Sequence, residues 1–152
     1  MDFTLELAVL LRVAGAMAVG TLIGLERELA GKPAGLRTHM LVTGASCLIV
    51  LLGDLAISEF YAAEASGVIQ ADPLRIFEAI IVGVSFLGAG TIWKSQDEHR
   101  VEGLTTAASL LFAATLGAAV ALERFGLAVV LAVFTLALSR LLRLAEARMA
   151  QR

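Results

Sequence analysis

The chain has 152 residues, 59% of them hydrophobic, with a mean hydropathy of +0.85 and a formal net charge of −2. Soluble globular chains are usually about half apolar or less, so one membrane-embedded domain is expected rather than a water-soluble one. The basic residues sit in clusters at the ends of apolar runs, which fits membrane topology and gives no indication of nucleic-acid binding.

Residues 3–25 form the first apolar run, about 23 residues or roughly 34 Å of helix, enough to cross a hydrocarbon core of about 30 Å. Ala14 to Ala18 mimics a signal-peptidase site, but Met1-Asp2 supplies no basic start, Arg12 interrupts the run, and the run continues past the site. An uncleaved first span is therefore expected. Gly20 and Gly24 form a GxxxG, which admits close approach of another helix, either within the bundle or from a second copy.

Residues 26–39 are short, polar and dense in charge, with Arg27, Lys32 and Arg37 beside two ends of apolar runs. Pro33 and Gly35 do not continue a helix comfortably, so the chain is expected to turn here, on the cytoplasmic side. A second span follows over residues 37–57, with Thr38 as a plausible N-cap and a small, weakly polar first half (Thr43, Gly44, Ala45, Ser46). Cys47, the one cysteine, lies in this run without metal-ligand spacing and reads as a buried structural thiol.

Residues 58–72 are acidic, with no Lys or Arg before Arg75, and are expected outside, with room for a short interfacial helix over residues 60–65. Asp72-Pro73 is a strong helix start for a third span over residues 74–93. Gly83, Gly88 and Gly90 have nearly the spacing of a phosphate-binding loop, but Ala89 follows Gly88 where that loop needs Lys; close helix contact or a local break is expected instead. Residues 94–103 are polar and cytoplasmic. Thr105 or Thr106 is expected to cap a fourth span over 105–122, and after a tight turn at Glu123-Arg-Phe-Gly126 a fifth runs over 125–142.

Nine cations fall in the segments expected inside (Arg27, Lys32, Arg37, Lys94, Arg100, Arg140, Arg143, Arg148, Arg152) and two outside (Arg75, Arg124). This bias predicts an all-α polytopic bundle of five transmembrane helices, N-terminus out and C-terminus in, with four spans as the competitor. Gly35-Leu-Arg-Thr38 and Gly103-Leu-Thr-Thr106 each open a span after a cytoplasmic loop, which is either a parallel repeat of spans 1–2 and 3–4 or coincidence.

Intramembrane charges are costly and are functional candidates. Arg12, Asp54 and Glu78 all fall in the outer half, so Arg12 is expected to pair with Asp54 or Glu78. At the inner side Glu26, Arg27, Glu28, Arg37 and His39 either hold Mg²⁺ through retained waters or neutralise one another and lock two helices; two acids among several cations favour the lock. No Ser/His/acid or HExxH pattern is present, and no enzyme activity is expected.

Five strings in order, Gly20 to Glu28, Lys32 to His39, Asp72 to Arg75, Gly83 to Gly90 and Gly103 to Ala108, resemble the MgtC/SapB family of bacterial inner-membrane proteins. The family motif is carried by Glu26, Arg27, Glu28, Pro33, Gly35, Arg37, Thr38 and His39, with Gly83, Gly88 and Gly90. Many members continue into a cytoplasmic domain, so this chain looks like the short form or the membrane part alone. The resemblance implies a multi-pass inner-membrane protein linked to growth in low magnesium and to survival in macrophages. It further implies action by binding a membrane complex such as the F-type ATP synthase, with ion transport, of Mg²⁺ or another ion, as the alternative. No cofactor is implied; the expected partners are lipid, that complex and a second copy of the chain.

Overall fold

The computed structural model describes residues 3–63, 72–94 and 101–149. Among them the chain forms α1 (Phe3–Leu29), α2 (Leu36–Ala63), α3 (Leu74–Ala89), β1 (Trp93–Lys94), β2 (Val101–Glu102), α4 (Leu104–Ala121) and α5 (Phe125–Met149). The expected all-α bundle is what these residues build, with one small antiparallel hairpin added, in which Trp93 pairs with Glu102 and Lys94 with Val101. Helices α1, α2, α4 and α5 are long and apolar enough to cross a membrane. Helix α3 has 16 residues, about 24 Å, and is shorter than the span expected over 74–93. It stops because the amide and hydroxyl of Thr91 both donate to the Gly88 carbonyl, at 2.9 and 2.8 Å, and the chain then leaves as β1. The expected interfacial helix over residues 60–65 lies partly outside the described residues, as do Asp97 to Arg100 of the second polar loop.

The helix ends explain the turns. Helix α1 runs one turn further than expected and carries Glu26, Arg27 and Glu28 inside it. It ends where Gly31 turns left-handed (φ 63°), with the Gly31 amide donating to Glu28 O and the Lys32 amide to Arg27 O, both at 3.0 Å. This 5→2 and 6→1 pair is a Schellman end, and Pro33 follows where a helix cannot resume. Helix α2 starts at Leu36, so Thr38 is its third residue and not its cap. The cap comes from across the turn, where a Glu28 carboxylate oxygen accepts from the Leu36 amide at 2.8 Å. At α3 the Asp72 side chain accepts from the Leu74 amide at 2.9 Å, the capping role the sequence suggested, with Pro73 preceding the first helical residue. The residue before α4 is Gly103 (φ 89°), in place of either threonine. A side chain there would begin 1.9 Å from the Thr91 carbonyl oxygen, so only glycine fits between β2 and α4.

Helix α4 packs against all four other helices. Its small residues make this possible. A Cβ on Gly117 would lie 2.1 Å from the Thr43 carbonyl oxygen of α2, and one on Gly20 of α1 would lie 2.4 Å from the Thr43 hydroxyl. Three backbones thus converge on Thr43, which is fully buried. Close backbone approach of this kind is how apolar helices associate in lipid, where oily side chains gain nothing by leaving it. Cys47 is fully buried one turn further along α2.

Candidate functional site at the α1–α2 hinge

The Schellman end of α1 and the short turn to α2 bring one turn of each helix together. From α1, Glu26 and Arg27 point inward and are buried; from α2, His39 is completely so. Glu26 uses both carboxylate oxygens on cations. One accepts from Arg27 Nε, the other from Arg143 Nη2 of α5. The group holds one negative and two positive charges, so it is net cationic. Helix α1 is thereby tied to a helix more than a hundred residues away.

His39 ties α2 to α4. Its Nδ1 lies 2.9 Å from the Gly35 carbonyl oxygen, and its Nε2 lies 2.9 Å from Ser109 Oγ. A carbonyl only accepts, so Nδ1 carries a hydrogen. In the neutral ring Nε2 then accepts from the Ser109 hydroxyl. In the charged ring Nε2 donates instead, and Ser109 donates to the Thr106 carbonyl oxygen, 2.8 Å away. The serine hydroxyl has a partner in either state.

Beside these groups a cleft of about 340 Å³ opens between α1, α4 and α5. Its polar lining is Glu26 and Arg27 with two hydroxyl pairs at helical spacing, Thr105 with Ser109 on α4 and Thr135 with Ser139 on α5. Such a cleft accommodates a small polar group at the end of the bundle. It does not suit Mg²⁺, which needs free oxygen ligands, because the only carboxylate present already holds two guanidinium groups. Among the described residues no three His, Cys, Asp or Glu side chains gather in a way that could hold a metal ion.

A family model described as the MgtC family matches residues 13–148. The chain belongs to the MgtC family. It is 40% identical to protein SapB of Bacillus subtilis over 111 residues, 73% of this chain and 46% of that protein. It is 35% identical to protein MgtC of Brucella abortus over 131 residues, 86% of this chain and 50% of that one. It is 34% identical over 124 residues to a protein of Escherichia coli K12 named "Putative magnesium transporter YhiD", covering 82% of this chain and 55% of that one. The chain thus spans about half the length of these curated relatives. No solved structure matches it significantly. Family membership and four long apolar helices together make it a multi-pass protein of the bacterial inner membrane.

The residues that carried the resemblance divide by position. Glu26, Arg27 and His39 form the buried core of the site, Glu28 and Gly35 shape the turn, and Pro33, Arg37 and Thr38 are exposed. A Cβ on Gly35 would lie 2.8 Å from the Glu28 carboxylate, so the glycine leaves room for the capping group. Gly20 and Gly24 lie against α2, and Gly88 lies against Ala107 of α4. Gly83 faces open space and Gly90 meets only the last turn of its own helix, so neither is a contact between helices of this bundle.

The three intramembrane charges do not meet as expected. Arg12 pairs with Glu123, at the α4–α5 turn, rather than with Asp54 or Glu78. The turn brings Glu123 back to the level of Arg12, whereas Glu78 is exposed on α3. Asp54 is exposed too, though it shares with Arg12 a shallow cleft of about 280 Å³ between α1 and α2. Sequence reasoning counted Arg143 only as a topological cation and passed over Ser109, Thr135 and Ser139. The four-residue spacing of hydroxyls on otherwise apolar helices was the available signal.

Proposed function

We propose that this MgtC-family bundle is a non-enzymatic regulator that binds another complex of the inner membrane, and that it does not carry an ion. The reading rests on one observation: the one buried acid among the described residues, Glu26, spends both oxygens on guanidinium groups. A path for Mg²⁺ needs several oxygens facing a wet cavity. What remains for recognition is a set of long helices with extensive apolar faces, α5 most of all. The process is adaptation to magnesium limitation, with survival inside macrophages in pathogens, and the F-type ATP synthase is the first partner to test; a second copy of the chain is the other. In this reading the hinge faces the cytoplasm, as the cation bias predicts, and α3 completes a fifth, short crossing.

Ion transport is the second reading, favoured by the name of the Escherichia coli relative and by the shared cleft of Arg12 and Asp54. Two experiments separate them. The tagged protein is used to recover ATP synthase subunits from membranes solubilised in mild detergent; co-purification is expected. The purified protein is also placed in liposomes and assayed for Mg²⁺ flux, alone and as Asp54→Asn and Glu78→Gln. Robust flux that the substitutions abolish overturns the regulatory reading.

A further inference from the structure

A second, larger cleft of about 760 Å³ lies at the hinge end of the bundle, between the α1–α2 turn and the junction of the hairpin with α4. Lys32 stands on one wall; Trp93, Glu102 and the first turn of α4 form the other. The first ladder bond of α4 is donated by Ala107 to Gly103 O. The amides of Leu104, Thr105 and Thr106 therefore have no partner in the helical ladder, and they carry the positive end of the helix dipole. The left-handed Gly103, pressed against Thr91, fixes how that end enters the cleft.

The second observation is independent of the helix end. Thr106 is 1% exposed and lines this cleft, and its Oγ1 is the one buried side-chain N or O atom among the described residues without a hydrogen-bond partner. A buried hydroxyl is rarely left so, because it forfeits its bonds to water and gains none in exchange. Thr106 borders the cleft, so a rotation of its side chain toward a ligand oxygen seated there would supply the missing partner. Three free amides, a hydroxyl and the Lys32 ammonium form a donor set for an anion with several oxygens. Among the described lining residues Glu102 is the one acid, and its charge works against the Lys32 ammonium.

We infer that this cleft binds a phosphate group, held by the α4 N-terminus, the Thr106 hydroxyl and Lys32. The helix end and cation are the pairing that phosphate requires. A free phosphate and the headgroup of an anionic lipid offer the same chemistry, and the hinge end of a membrane bundle meets both.

Trp93 is the only tryptophan of the chain and stands on the cleft wall, so its fluorescence reports occupancy. The purified protein in phosphate-free maltoside detergent is titrated with inorganic phosphate, and separately with short-chain phosphatidylglycerol. A saturable change with either probe is expected. Response to inorganic phosphate identifies a free-phosphate site, and response to the lipid alone identifies a headgroup site. Lys32→Ala is expected to weaken binding about tenfold, and Thr106→Val by several-fold, as loss of a charged and of a neutral hydrogen bond should. Glu102→Gln is expected to tighten it, a gain that misfolding cannot imitate. Arg124→Gln, at the far end of α4, is expected to titrate as the unaltered protein does. No saturable change with either probe overturns the inference. So does a titration that neither Lys32→Ala nor Thr106→Val alters.

Discussion

The His39 imidazole on α2 and the Ser109 hydroxyl on α4 meet at 2.9 Å, and this one bond joins the α1–α2 hinge to a residue seventy positions further on. His39 is fully buried, so its ring also fills volume that no neighbour can occupy. Two contributions are therefore separable. Ser109→Ala removes the bond and keeps the packing, and is expected to cost about 1 kcal/mol. His39→Ala removes both and is expected to cost about 2–4 kcal/mol. Reversible unfolding in mixed micelles measures each. Equal losses would mean that the ring contributes nothing beyond its hydrogen bond.

Glu26 sits between two guanidinium groups of unequal exposure. The Arg27 side chain is 10% exposed and that of Arg143 is 44% exposed. Removing the acid strands Arg27 as a buried, unpaired charge. Glu26→Gln is expected to cost about 3–5 kcal/mol, as breaking a buried pair from one side does. Arg143→Gln leaves Glu26 and Arg27 paired and is expected to cost less, about 1–2 kcal/mol. The double substitution Glu26→Gln with Arg27→Gln is expected to recover part of the first loss. Unfolding midpoints of the three variants check this order, and a single Glu26→Gln as stable as the double would contradict it.

The ion pairs show where sequence reasoning reached and where it stopped. The long apolar runs and their Gly and Pro breaks placed the helices, because lipid demands continuous helices and turns demand special residues. The ends were misjudged by up to about two turns, most at α5, which runs on to Met149; Glu26 to Glu28 look like loop residues, yet they fold as helix because their charges find partners. Those partners were not legible. Glu123 lies 111 positions from Arg12, and Arg143 lies 117 from Glu26, and nothing local couples them. The packing glycines were legible only as a GxxxG. Helix α4 is apolar on all sides, so no face of it advertised that Gly117 would meet another backbone. The hairpin was missed because two-residue strands carry no periodicity.

Both side chains of the Arg12–Glu123 pair are accessible, and Glu123 sits at the α4–α5 turn, where the chain leaves the apolar run and water and headgroups screen the pair, so it should contribute little to stability. Arg12→Leu is expected to change it by less than about 1 kcal/mol. Glu123 matters more for its backbone. It holds a left-handed conformation (φ 62°) at a Schellman end, with its amide on Val120 O and the Arg124 amide on Ala119 O. A non-glycine residue there is strained by about 1–2 kcal/mol. Glu123→Gly relieves that strain while losing a weak ion pair, so stability is expected to hold or rise. Glu123→Val, which keeps the strain and adds branching, is expected to lower it. Thermal unfolding of the two variants in one detergent decides, and equal midpoints would show that the turn geometry is not a determinant.

Gly83 and Gly117 occupy opposite extremes of space in neighbouring helices. A methyl at Gly83 meets nothing within 4 Å, whereas one at Gly117 would overlap the Thr43 carbonyl oxygen at 2.1 Å. Gly83→Ala is therefore expected to be tolerated, and gains up to about 1 kcal/mol from the better helix propensity of alanine. Gly117→Ala cannot be absorbed by a side-chain rotation, since the obstacle is backbone. It must push α4 away from α2, and that movement also stretches the His39–Ser109 bond two turns along the same interface. Its expected cost is about 1–3 kcal/mol, the range for overpacking a close-packed interior. Adding Ser109→Ala to Gly117→Ala is then expected to cost less than Ser109→Ala alone, because the bond is already weakened. A double-mutant cycle measures that difference. Strict additivity would mean that α4 accommodates the methyl locally, without separating from α2.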